Sequence, residues 1–139
     1  MFNSRLIESL KNYPLLEPVQ NFTDSRGSIV NIADGEIGDV AVIISEAGSI
    51  RANHFHDEDW HICHLTQGKF IYYWRELSDL TTKKIVISPG MSVVTPPLIA
   101  HRFKFIEKST LIVISKLSRI KSNYDFDTHQ LDPSTFDEY

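Results

Sequence analysis

The sequence predicts an all-β fold. Two observations carry this reading. Short apolar runs rich in Val, Ile, Tyr and Phe recur along the chain with no helical stretch between them. Glycines at 35, 38, 48, 68 and 90 punctuate those runs. Strands at this spacing, uninterrupted by helices, pack as an antiparallel sandwich or barrel.

The elements follow in order. Ser4 is a candidate N-cap for a short helix over residues 4–11, with Leu6, Ile7 and Leu10 on one side. Tyr13-Pro14 and Glu17-Pro18 break it, because the residue before a proline is driven out of helical geometry. Strands are then expected in "SIVNI", "VAVIIS", "KFIYYWREL", "KKIVIS", "MSVVTPP", "HRFKFI" and "TLIVISKL". The tail from Asn123 to Tyr139 is polar and acidic. It reads as a small helix, a loose segment or a cover over an opening.

Composition narrows the function classes. A chain of 139 residues with 42% hydrophobic and 23% charged residues fits one packed domain spanning 1–139. A net charge of −4 gives no basic footprint for nucleic acid or anionic lipid and suits a small ligand. The single cysteine, Cys63, cannot form an internal disulfide. The first residues do not read as a signal peptide, and no run of apolar residues is long enough to span a bilayer. A cytoplasmic location is therefore the expectation.

Chemistry concentrates in "RANHFHDEDWHICHLTQG", residues 51–68, which holds His54, His56, His61 and His64. On a strand side chains alternate, so His54 and His56 share a face and Phe55 takes the other. In "HICHL", His61, Cys63 and Leu65 share one face, while Ile62, His64 and Thr66 share the other. His64 is thus expected outside the site. A Pro-Pro turn precedes His101, whose face also carries Phe103 and Phe105. Imidazoles converging in an apolar cavity suit one divalent transition metal: zinc, iron, manganese or nickel.

The spacing resembles a known family. Gly48, His54, His56, His61 and Gly68 are similar to the first cupin motif, with His61 where that family usually carries Glu. Gly90, Pro96 and His101 resemble the second motif, with Leu98 replacing its usual Gly and Phe105 its usual Asn. The match covers about residues 22–118. The resemblance implies a jelly-roll antiparallel β-barrel, often dimeric, with one internal metal or substrate site. It also implies His54, His56, His61 and His101 as metal ligands.

A second resemblance is narrower. "FTDSRGSIVNI" at residues 22–32 and "SIRANHFH" at 49–56 are similar to segments of dTDP-sugar 3,5-epimerases, with Ala52 where those enzymes carry Gly. The paired histidines are closer to dTDP-hexulose 3,4-ketoisomerases and to the C-terminal cupin of capsular-polysaccharide epimerase/reductases. Proton abstraction beside the ketone of a nucleotide-linked deoxysugar, in surface-polysaccharide biosynthesis, is the implied chemistry. By this resemblance His54 is the base, assisted by His56, and Arg51 meets the phosphates, with Arg26 a second candidate. Tyr72 is a candidate acid, although nothing in the sequence separates it from Tyr73.

These readings compete for His54, since an imidazole bound to metal is not a free base. Bland roles stand beside each residue. Arg26 and Arg51 also suit ion pairs, Cys63 a core thiol, His129 a solvated position, and Tyr72, Tyr73 and Trp74 packing. Glu58 is a possible extra ligand. Two other functions fit the same residues: a non-haem metal oxygenase, and a small-molecule-binding cupin without turnover.

Overall fold

The structure, a computed structural model, describes residues 13–18 and 20–137. The helix expected at 4–11 lies outside the described residues. Nine strands and one short helix follow: β1 (Gln20–Asp24), β2 (Gly27–Asn31), β3 (Asp39–Ser45), β4 (Ile50–His56), β5 (His61–Glu76), β6 (Lys83–Ile87), β7 (Ser92–Thr95), β8 (Ile99–Ser115), α1 (Lys121–Asp127) and β9 (Thr128–Gln130). None of the described helices is long and apolar enough to cross a membrane.

Two long strands organise everything. β8 pairs along one edge with β5, and along the other with β3 and then β4. The far edge of β5 pairs with β7 and β6. All these pairs are antiparallel, as the sequence predicts. The sequence suggests two strands in each of the regions that form β5 and β8. The structure makes each one bent strand, because the ladder continues through bulges between Leu65 and Phe70. Gly68 sits in that bend at φ +100°, and a Cβ there would meet Ser109 Oγ at 2.3 Å. Only glycine allows β5 to cross β8 so closely.

The bulges switch the inward parity of β5 from odd to even residues. Cys63 and Leu65 point inward before the bend, and Phe70 and Tyr72 after it. β8 keeps odd parity, with Phe103, Phe105, Leu111 and Val113 inward. These side chains form one core, so the sheet curls over its own inner face. The antiparallel sheet expected from the sequence is present, curled over its core, and among the described residues the ladder does not close as the expected jelly-roll barrel would. Side-chain packing, rather than a closing ladder, joins its two halves. β1 and β2 form a separate hairpin.

The C-terminal tail is structured. After α1, β9 pairs with β4 along Thr128–Gln130. Phe136, fully buried, then packs on Tyr73 and Ala100. Arg102 holds the end in place by donating to the Phe136 carbonyl and to Asp137.

Candidate functional site

The cavity lies on the inner face of the curled sheet and encloses about 130 Å³. Ile43, Phe103, Phe105, Leu111 and Val113 make its apolar wall. His54, His61, His101, Arg51, Arg119 and Tyr124 supply its polar groups.

Strand register brings the imidazoles together. His54 on β4 pairs directly with His101 on β8, with ring centroids 4.8 Å apart. His56 lies 4.6 Å from His54 and 4.7 Å from His61, centroid to centroid. His54, His56 and His101 each offer a nitrogen within 4.8 Å of the others. His61 stands outside that trio. Its Nε2 lies 2.9 Å from Asp59 Oδ2, and both residues are buried.

A bulge at Ala52 and Asn53 completes the arrangement. Both adopt positive φ, 67° and 59°, and the register with β8 shifts by one residue there. Strict alternation would put Arg51 opposite to His54. The extra residue reverses that, so both side chains line the cavity. Arg51 is anchored by donating from Nε to Ser45 Oγ at 2.6 Å and from Nη2 to the Ile44 carbonyl at 3.1 Å.

Hydrogen bonds fix two tautomers. His101 Nδ1 is 2.9 Å from the Ile99 carbonyl, which can only accept. Nδ1 therefore carries the proton and Nε2 the lone pair. Thr128 donates its hydroxyl to the Tyr124 carbonyl, so it accepts from His56 Nδ1 at 3.3 Å. That leaves His56 Nε2 bare, and it is buried with no hydrogen-bond partner. A buried nitrogen lone pair with no donor is costly unless a cation or a substrate proton meets it.

Electrostatics keep the trio neutral. Burial, then the charges of His56, His61 and Arg119, hold His54 down to about 3. Burial and His61 hold His56 down to about 4, although Asp59 and Asp127 oppose them. His101, wholly buried, lies well below the ordinary histidine range, chiefly through desolvation. Neutral imidazole is the form that ligates metal. With a bare Nε2 and three neutral rings, the donor set fits a divalent transition metal.

No protein-family model and no curated protein sequence matches the chain. Solved structures do. The 3,4-ketoisomerase QdtA from Thermoanaerobacterium thermosaccharolyticum matches with TM-score 0.67 and 18% identity, over 91% of this chain and 94% of QdtA. The dTDP-4-dehydrorhamnose 3,5-epimerase from Sulfolobus tokodaii matches at 0.67 and 17%, over 86% of this chain and 77% of the epimerase. The capsular polysaccharide assembling protein CapF from Staphylococcus aureus matches at 0.64 and 23%, over 86% of this chain. The chain spans about a third of the length of CapF.

The chain has the cupin fold.

Within this fold the expected residues are distributed unevenly. His54, His56, His61 and His101 are brought together, and Arg51 joins them at the cavity. His64 sits apart, half-buried, with Nδ1 2.8 Å from Ser92 Oγ. Arg26 is not at the cavity. It lies in the turn between β1 and β2, exposed, and pairs with Asp24. Tyr72 does not line the cavity either. It is fully buried, with its hydroxyl bonded to Tyr13 and Thr95, and burial drives its pKa upward. Tyr73 packs on the other face of the sheet against Phe136 and Arg102. Cys63 lines the cavity as a fully buried thiol pushed up to about 12 by desolvation, which suits a core role. Glu58 is exposed and points no ligand at the trio. His129 pairs with Asp57 and stacks on Phe55.

Sequence reading missed four residues. Arg119 and Tyr124 line the cavity. Tyr124 lies 6.4 Å from His54 and 5.9 Å from His56, centroid to centroid. Asp59 and Asp127 are buried beside the rings, and with His56 they form a second group of possible ligands. "DED" and a polar tail gave no sign of this, since both motifs are commonly solvated.

Proposed function

We propose that this cupin is a metal-binding enzyme of the sugar-nucleotide epimerase or ketoisomerase kind. It moves a proton next to the ketone of a nucleotide-linked deoxysugar. The observation that carries the reading is the neutral trio His54, His56 and His101, of which His54 and His101 line an apolar cavity, in a fold shared with 3,4-ketoisomerases and 3,5-epimerases.

The trio is assigned to one divalent transition metal: zinc, iron, manganese or nickel. When bound, such a metal supplies Lewis-acid polarisation of an oxygen. A pKa of about 3 makes His54 a poor proton acceptor at neutral pH and favours ligation over the base role expected from the sequence. The cavity is smaller than the usual site for a drug-sized molecule, so it suits the sugar and leaves the nucleotide at the mouth. Arg51 and Arg119 would meet the diphosphate, for which guanidinium geometry is suited. Tyr124 replaces Tyr72 as the acid. Burial raises its pKa, so the phenol stays protonated and can donate to the enolate oxygen. The exposed Val40, Val42 and Ile44 on β3 support a homodimer through that face.

The test is incubation with TDP-4-keto-6-deoxyglucose in heavy water. The reading expects deuterium at a carbon beside the ketone. No incorporation, across several keto-sugar nucleotides, sinks it. Iron content with oxygen consumption would instead support the oxygenase reading.

A further inference from the structure

We propose that His61, held by Asp59, is the base that takes the substrate proton, leaving His54, His56 and His101 to the metal. This inference rests on the keto-sugar reading above and assigns the proton transfer within it.

The four rings differ in what stands behind them. His54, His56 and His101 converge through nitrogens within 4.8 Å of one another, and His61 is not among them. Among the four, His61 alone makes a hydrogen bond to a carboxylate, 2.9 Å from Nε2 to Asp59 Oδ2. Asp59 is itself fixed, because its Oδ1 accepts the Leu117 N–H at 3.0 Å.

An ionised carboxylate only accepts, so Nε2 of His61 carries the proton and Nδ1 carries the lone pair. No described residue bonds Nδ1, and the ring lines the cavity. A carboxylate behind one imidazole nitrogen holds the tautomer and stabilises the imidazolium formed at the other. His54 has no such partner. The geometry thus separates two tasks that the sequence assigned to the same histidines.

The step balances without a redox partner. His61 Nδ1 takes a proton from the ring carbon beside the ketone. The C–H electron pair becomes the C=C bond, and the carbonyl π pair moves to oxygen, giving an enolate. Asp59 faces the resulting imidazolium. Return of that proton, or of one exchanged with water, to carbon restores a ketone. Asp59 touches no substrate and is a positioning residue.

The test measures deuterium incorporation into TDP-4-keto-6-deoxyglucose alongside bound metal per chain. His61→Gln should lower incorporation by about 100-fold or more while keeping its metal. In His61→Gly, added imidazole should restore part of the rate, a readout that a packing role would not give. Asp59→Asn should lower kcat about 10-fold with KM unchanged, and Asp59→Glu should recover part of it. Wild-type rates in His61→Gln overturn the proposal, as does loss of metal from that folded variant, which would make His61 a ligand. A folded His61→Gly that imidazole cannot rescue also overturns it. Should His61→Gly fail to fold, His61→Gln decides alone. A wild-type protein that incorporates no deuterium overturns the keto-sugar reading, and the proposal falls with it.

Discussion

Asp127 Oδ2 accepts the backbone N–H of Asp59 at 2.9 Å. Its other oxygen accepts the N–H of Glu58 at 2.9 Å. One buried carboxylate on the C-terminal helix therefore fastens the loop that presents Asp59 to His61. It also lies 3.8 Å from His56 Nδ1. The tail is part of the site rather than an appendage to it.

Asp127→Ala should cost about 1–3 kcal/mol, because one buried amide and one half-buried amide lose their acceptor. Urea unfolding checks this. Metal affinity should fall as well, because the carboxylate lies 3.8 Å from His56 Nδ1 and fastens the loop beside the rings. A variant with wild-type stability and wild-type metal affinity would remove Asp127 from the account.

Ala52 is strained. At φ 67° a residue with a Cβ pays about 1 kcal/mol that glycine does not. Ala52→Gly should raise stability by about that amount, and Ala52→Val should lower it by more. Thermal melts of both variants decide the matter. Unchanged stability in both would remove backbone strain at Ala52 from the account.

Acid should destabilise the metal-free protein earlier than its carboxylates alone would. His54 and His56 titrate near 3 and 4 in the fold, and an unfolded imidazole near 6.5. Between those values the unfolded chain binds more protons, so stability falls as pH drops. The contribution is full above about pH 6.5 and is lost progressively toward pH 4 for His56 and pH 3 for His54. Each unit of separation is worth about 1.4 kcal/mol. Denaturation midpoints from pH 7.5 to 4.5, after chelation, measure it. A flat profile between pH 6.5 and 5 would mean that the rings are hydrated and not buried.

Much of this was legible beforehand, and the gaps have physical causes. Strand alternation sent His64 away from the cavity and brought His61 and Cys63 toward it, because that segment of β5 is regular. His54 and His56 share a side for the same reason. Arg51 lies upstream of a bulge, and alternation alone would have put it on the wrong face. Ala52, standing where similar sequences carry glycine, was the one signal of positive φ. A small helix was one of three readings of the tail, but the β9 strand and the burial of Phe136 were hidden because the pattern is mostly polar, and that burial depends on distant partners such as Arg102 and Tyr73. Asp59 and Asp127 were hidden because a buried carboxylate and a solvated one look alike in sequence. Two strands in each of the β5 and β8 regions were expected where one bent strand runs on, since backbone pairing tolerates polar residues at a bulge.

The central claim is that three histidines hold a metal and that His61 and His64 do not. Metal per chain, measured by elemental analysis on purified wild type and on His101→Ala, His56→Ala, His61→Gln and His64→Ala, tests it most directly. The account predicts about one metal in wild type, little in His101→Ala and His56→Ala, and wild-type content in His61→Gln and His64→Ala. Equal loss from all four variants, or a wild-type protein that takes up none of zinc, iron, manganese or nickel, would contradict it.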